Sequence, residues 1–236
     1  MAGVSVTPIV ALDVSSLGAA LSLVERLGDA ARFYKVGSEL FTRTGPEVVA
    51  QLRARDCDVF LDLKFHDIPN TVARAVSAAA DMGARLTTVH ASGGAAMLRA
   101  AAEAASPNCL VVAVSVLTSL DAADVAGVWG RVGLDLEHEV LRLARSAVDA
   151  GIRGLVCSGN EAARVRAELG DAMRLVVPGI RFADGGAQDQ SRVVTPAAAA
   201  RAGADYVVIG RSVTAAQDPV AAMLRVNAEL QSALNE

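Results

Sequence analysis

Aromatic residues make up only 3% of this 236-residue chain, so its core must be built from Val, Leu, Ile and Ala rather than from rings. Cysteine is scarce as well. Cys57, Cys109 and Cys157 are the three present, and an odd, widely spaced set argues against a disulfide framework. Each sits at or beside an apolar strand-like run, where a buried thiol behaves as a small hydrophobe. No excess of positive charge exists either. The net charge is -4 and no basic face stands out, which argues against a nucleic-acid partner. A phosphorylated small molecule stays open, because a few local arginines can hold one phosphate. No apolar run of roughly 18 residues escapes interruption by charge, Gly or Pro, so no membrane span is expected. The start, Met1-Ala2-Gly3-Val4-Ser5, lacks a basic segment followed by a long apolar stretch. No signal peptide is expected from it, and the expected location is cytoplasmic.

What is present is a repeating alternation. Hydrophobic residues make up 53% of the chain. Short apolar, β-branched runs occupy 8–13, 32–36, 58–64, 86–91, 110–116, 154–157, 174–177 and 206–209. Between them lie longer Ala-rich segments with apolar residues at three and four spacing, for example 17–27, 71–82, 134–150 and 213–234. Glycines at 83, 151 and 203 precede new strands, as helix C-caps do. Continuous apolar strands alternating with helices predict a parallel sheet covered by helices. Eight such units with no linker or low-complexity stretch favour one closed (β/α)8 TIM barrel spanning 1–236. A chain of this length buries roughly 70% of its unfolded surface. The longest irregular stretches, 118–133 and 182–190, are candidate functional loops.

In such a barrel the site lies at the C-terminal ends of the strands. Polar residues do gather where the apolar runs stop. Asp13 ends the first, Lys35 lies near the end of the second, and Asp62 and Lys64 end the third. His90 ends the fourth, Ser115 and Thr118 follow the fifth, Arg181 follows the seventh, and Gly210 and Arg211 follow the eighth.

Residues two apart on a strand face the same way. Asp62 and Lys64 therefore point into the barrel mouth while Leu61 and Leu63 point to the helices. Opposite charges buried there must pair. Asp67 follows in the loop and Lys35 comes from the neighbouring strand, giving a candidate row Lys35, Asp62, Lys64, Asp67. A lysine flanked by carboxylates suits a proton donor rather than a nucleophile. At the other end, Gly210 allows close backbone approach to an anion, a helix start offers amide donors, and Arg181 and Arg211 offer guanidinium forks. The segment 184–190 reads as a flap. Asp13 suits ribose hydroxyls or a simple helix N-cap. His66 reads as a loop residue, His90 as either a core histidine or a site wall, and His138 and Trp129 as structural. No zinc-type ligand spacing and no Ser-His-Asp set is indicated.

The stretch Asp62-Leu63-Lys64-Phe65-His66-Asp67-Ile68-Pro69-Asn70-Thr71 resembles the D-x-K-x-x-D-I-P-x-T signature of the orotidine 5'-monophosphate decarboxylase family. The likeness extends to Ala11-Leu12-Asp13, Lys35-Val36-Gly37, Val116-Leu117-Thr118-Ser119, Pro178-Gly179-Ile180-Arg181, Asp189-Gln190, Thr195-Pro196 and Ile209-Gly210-Arg211. The resemblance implies that Lys64 protonates pyrimidine C6 as carbon dioxide leaves, with Asp62 beside the substrate carboxylate. It implies that Lys35 and Asp67 complete the charge row, and that Asp67 and Thr71 enter a partner subunit's site in a homodimer. It also places Asp13 and Lys35 at the ribose and Thr118 near the pyrimidine. Arg181, Gln190, Gly210 and Arg211 would hold the phosphate, with no metal or organic cofactor.

Two rivals remain. A magnesium-dependent sugar-phosphate decarboxylase of the same barrel type also carries D-x-K-x-x-D, but the continuation Ile68-Pro69-Asn70-Thr71 and the ending Ala11-Leu12-Asp13 favour the orotidine type. A silent nucleotide-binding barrel would not require the intact charge row.

Overall fold

The computed structural model describes residues 6–184 and 194–234. Among them, eight strands close into a barrel in chain order, each parallel to the next, with the eighth returning to the first. The strands are β1 (Thr7–Ala11), β2 (Phe33–Gly37), β3 (Asp58–Phe65), β4 (Leu86–His90), β5 (Leu110–Val114), β6 (Gly154–Val156), β7 (Arg174–Val177) and β8 (Tyr206–Ile209). Around them run α1 (Leu17–Leu27), α2 (Ser38–Thr44), α3 (Glu47–Arg53), α4 (Pro69–Asp81), α5 (Gly94–Glu103) and α6 (Ala122–Trp129). The chain continues with α7 (Leu136–Asp149), α8 (Gly159–Leu169), α9 (Pro196–Arg201), α10 (Arg211–Thr214) and α11 (Pro219–Leu234). The expected barrel and its eight strands are present.

Period-two alternation splits the apolar residues into two layers. Ile9, Phe33, Phe60, Leu86, Val112, Val176 and Val208 fill the barrel interior. Their neighbours Val10, Tyr34, Val59, Leu61, Val111, Leu175 and Val207 belong to the layer packed under the helices. The strands lack a polar face because both faces are buried. The helices answer with a single stripe. In α1 the buried residues are Ala20, Leu23, Val24 and Leu27, the spacing of one helical face.

Two expectations about helices need correction. The segment 213–234 is not one helix, because a short α10 ends at Thr214 and α11 begins at Pro219. Proline is favoured in the first turn and cannot continue a helix from upstream. The Asp218 carboxylate accepts from Ala221 N at 3.0 Å and caps the new start. The stretch 118–133 is not wholly irregular either. It contains α6, started by an Asp121 capping box that uses Asp124. The three cysteines are free and buried, as expected. Burial pushes the Cys109 thiol up to about 11. Among the described residues no helix is long and apolar enough to cross a membrane.

The interior layer carries a direct test. Leu86 is fully buried there. Leu86→Ala should lower the unfolding free energy by about 2–5 kcal/mol. Urea titration should show a lower midpoint with an unchanged slope.

Candidate active site

At the C-terminal mouth of the barrel lies a cavity of about 280 Å³. Its floor is apolar, from Phe60, Val156, Val176 and Val208. Its walls include Asp13, Lys35, Asp62, Lys64, Thr118, Arg181, Gly210 and Arg211. Eight of the residues singled out in the sequence therefore meet in one space.

The charged wall is a chain of contacts. Lys35 Nζ lies 2.9 Å from Asp13 Oδ1 and 3.9 Å from Asp62 Oδ2. Lys64 Nζ donates to both oxygens of Asp62, at 2.8 and 2.9 Å. Asp62 is buried. Its burial is tolerable because each oxygen has a cationic or hydroxyl donor. Asp13 is not a helix cap, since Ser16 caps α1 by accepting from Ala19 N at 3.2 Å. Asp13 begins the row instead.

Simple alternation does not account for how Lys64 is aimed. Leu61 pairs with Thr87 but Phe65 pairs with Val89, so β3 carries two more residues than β4 over this stretch. Within that bulge Lys64 has φ of +53°, in the left-handed region. A lysine held there costs about 1–3 kcal/mol, and such strain persists only where surrounding contacts impose it. Thr88 supplies those contacts. Its Oγ1 accepts from Lys64 N at 2.8 Å and donates to Asp62 Oδ1 at 3.0 Å. Thr88 is fully buried. The sequence reading missed it, although a signal existed. Leu86 faces the interior, so Thr88, two residues on, faces it too.

Asp67 does not complete the row in its own chain. It is exposed, and its carboxylate accepts from Ile68 N at 2.6 Å. Thr71 is exposed on the first turn of α4. Neither lines the cavity. The physical reason is that Asp67 lies beyond the end of β3, where the chain has turned away. A second cavity of about 180 Å³ adjoins the row, lined also by Gly37, Ser38, Glu39 and Leu40.

His66 is exposed in the loop, and its ring meets that of half-buried His90 at 5.4 Å between centroids. His90 does not line the main cavity. Burial, then the nearby His66 and Lys64, push His90 below the usual histidine range, which favours its neutral form. His138 is exposed and Trp129 packs partly against the core.

The opposite wall joins two segments. The Ile180 carbonyl accepts from Arg181 Nη1 at 2.9 Å and from Ser212 Oγ at 3.2 Å, which ties the exit of β7 to α10. Arg181 N donates to Val194 O at 3.0 Å. Val194 rests on Gly159, where an added Cβ would lie 2.4 Å from its side chain. Gly159 is thus required for close approach at the start of α8. Gln190, and the expected flap from 185 onward, lie outside the described residues. Among the described residues no three His, Cys, Asp or Glu side chains converge to hold a metal ion.

Residues 7–226 match the family model described as orotidine 5'-phosphate decarboxylase / HUMPS family. The chain belongs to this family. It is 50% identical to an orotidine 5'-phosphate decarboxylase of Chromobacterium violaceum, over 94% of this chain and 90% of that protein. It is 48% identical to one from Shewanella sediminis, over 94% of this chain and 96% of the other. Among solved structures, the orotidine 5'-phosphate decarboxylase of Lactobacillus acidophilus superposes with a TM-score of 0.84 at 35% identity, covering 95% of this chain and 98% of that one. An uncharacterised conserved protein from Geobacillus kaustophilus gives 0.81 at 37% identity, covering 94% and 99%.

Thr88 can be tested without touching a charge. Thr88→Val keeps the shape but leaves Lys64 N without its acceptor and Asp62 without one donor. An unsatisfied buried group costs about 1–3 kcal/mol. Stability should fall by about that amount, and a crystal structure of the variant should show Lys64 Nζ displaced from Asp62. An unmoved Lys64 would mean that the bulge is held by other contacts.

Proposed function

We propose that this chain decarboxylates orotidine 5'-monophosphate to uridine 5'-monophosphate and carbon dioxide, a step in making pyrimidine nucleotides. The observation that carries the reading is the Asp13–Lys35–Asp62–Lys64 row facing Arg181 and Arg211 across one cavity. Family membership and the names of the relatives support it.

The chemistry asks for such an arrangement. When the bond from C6 to the carboxylate breaks, its electron pair stays on a carbon with little resonance delocalisation. A preorganised cation beside C6 is then the main source of stabilisation. Lys64 supplies that cation and then its proton, which forms the C6–H bond. Asp62 faces the departing carboxylate and holds Lys64 in place. Lys35 and Asp13 meet the ribose, and Thr118 meets the pyrimidine ring. Arg181, Arg211 and the Gly210 backbone grip the phosphate. Binding energy gained there can hold the ring against the charge row.

The active form in this reading is a homodimer with shared sites. Asp67 and Thr71 are exposed beside Ile68, which is 67% exposed and apolar. Asp67 of the partner subunit would enter the smaller cavity near Gly37 and Ser38 and extend the row. The metal-dependent sugar-phosphate route fits less well. Asp13 and Asp62, the strand-end carboxylates, already face ammonium groups at 2.9 and 2.8 Å.

Loss of orotidine 5'-monophosphate absorbance is the direct assay. The wild type should turn over in the presence of EDTA. Lys64→Ala should slow decarboxylation by at least about 10²–10⁴-fold while the fold persists. Near-normal turnover by that variant would refute the proton-donor role.

Sharing of the site has its own signature. Lys64→Ala and Asp67→Ala, each inactive alone, should regain activity when co-refolded, because a mixed dimer carries one site with both residues intact. No recovery would place Asp67 in its own subunit's site, and full activity of Asp67→Ala alone would place it outside the chemistry.

A further inference from the structure

Arg225 lies on α11, outside the cavity, and the proposed mechanism makes no use of it. Its surroundings are unusually specific for a surface arginine. Its guanidinium carbon sits 4.1 Å above the centre of the Phe182 ring. Its Nη1 donates to Asp184 Oδ2 at 3.0 Å. Its Nε donates to Glu229 Oε1, one turn along the helix, at 3.1 Å. Phe182 directly follows Arg181, and Asp184 comes two residues later.

An exposed ion pair alone contributes little. Here three contacts act on one rigid plane. Glu229 fixes the guanidinium from the helix side, the ring of Phe182 stacks beneath it, and Asp184 closes the third side. A cation over an aromatic face adds attraction that does not depend on a salt bridge. The Arg225 contact also makes the Asp184 carboxyl more acidic than usual.

The Arg181 segment is anchored on both sides of the arginine, and Phe182 also packs against the core. Its backbone is tied at Ile180, through Ser212, and at Arg181 N, through Val194. Both ties lie at or before Arg181. Beyond it, the described chain is held to the last helix through Phe182 and Asp184. We propose that Arg225 is a positioning residue: it clamps the chain just after Arg181 and so fixes the guanidinium with which Arg181 meets the substrate phosphate. This rests on the reading of Arg181 as a phosphate residue. The clamp acts on phosphate binding and leaves the Asp62–Lys64 chemistry alone.

The test compares Arg225→Gln with the wild type on two substrates, the nucleotide and the nucleoside lacking its phosphate. From the strength of exposed ion pairs and cation–π contacts, KM for orotidine 5'-monophosphate should rise about three- to tenfold. kcat should change less than about twofold, and kcat/KM for the phosphate-free nucleoside should be unchanged. Uridine 5'-monophosphate binding, measured by calorimetry, should weaken by the same factor as KM rises. Asp184→Asn should act in the same direction. Arg225→Lys, which keeps the charge but loses the planar stack, should fall between wild type and Arg225→Gln. An unchanged KM, or a nucleoside reaction reduced as much as that of the nucleotide, overturns the proposal. Arg181→Ala, measured alongside, separates the two levels. If it leaves uridine 5'-monophosphate binding intact, the phosphate reading fails and the clamp falls with it. If it weakens binding while Arg225→Gln does not, the clamp alone is wrong.

Discussion

The mouth of this barrel depends on one carboxylate. Asp62 is buried over an apolar floor, and it takes Lys64, Thr88 and, at longer range, Lys35. Without it Lys64 would lose the carboxylate that holds it, and Asp13 alone would balance the two ammonium groups. Their mutual repulsion and lost hydration would then oppose the folded geometry. Asp62 also explains the backbone beside it. The left-handed turn at Lys64 points the lysine back at the carboxylate two residues earlier, and Thr88 from β4 bonds to both residues. Charge pairing, strand bulge and neighbouring strand form one unit, and the strain of the turn is offset by contacts that the same unit supplies.

Much of this was legible in the sequence, for a physical reason. A parallel barrel buries both faces of its strands, so each strand must be an apolar run, and polar residues appear only where the run stops. That is why Asp13, Lys35, Asp62, Lys64, Thr118, Arg181, Gly210 and Arg211 were all found at strand ends and all line one cavity. What escaped was whatever leaves that pattern. Lysine has no local preference for positive φ, so the bulge at Lys64 had no residue-level signal. Thr88 sits within an apolar run that hides its role, though its two-residue offset from Leu86 places it inside. Asp67 is three residues from Lys64 in sequence, yet the chain turns between them, and proximity along the chain could not tell which space it would reach. The break before α11 is marked by Asp218-Pro219, although the apolar spacing continues across it. Arg225 is one polar residue on a helix among many, and only the folded position of Phe182 gives it meaning.

The charged and the basic walls come from different parts of the ring. Asp13, Lys35, Asp62, Lys64 and Thr88 lie on or just after β1 to β4, while Arg181, Gly210 and Arg211 follow β7 and β8. The molecule is therefore divided like a tool with a handle and an exchangeable bit. The first wall sits at the ends of β1 to β4 and the second at the ends of β7 and β8, each on its own set of strand ends. Such a division leaves one wall free to vary while the barrel and the other wall stay in place.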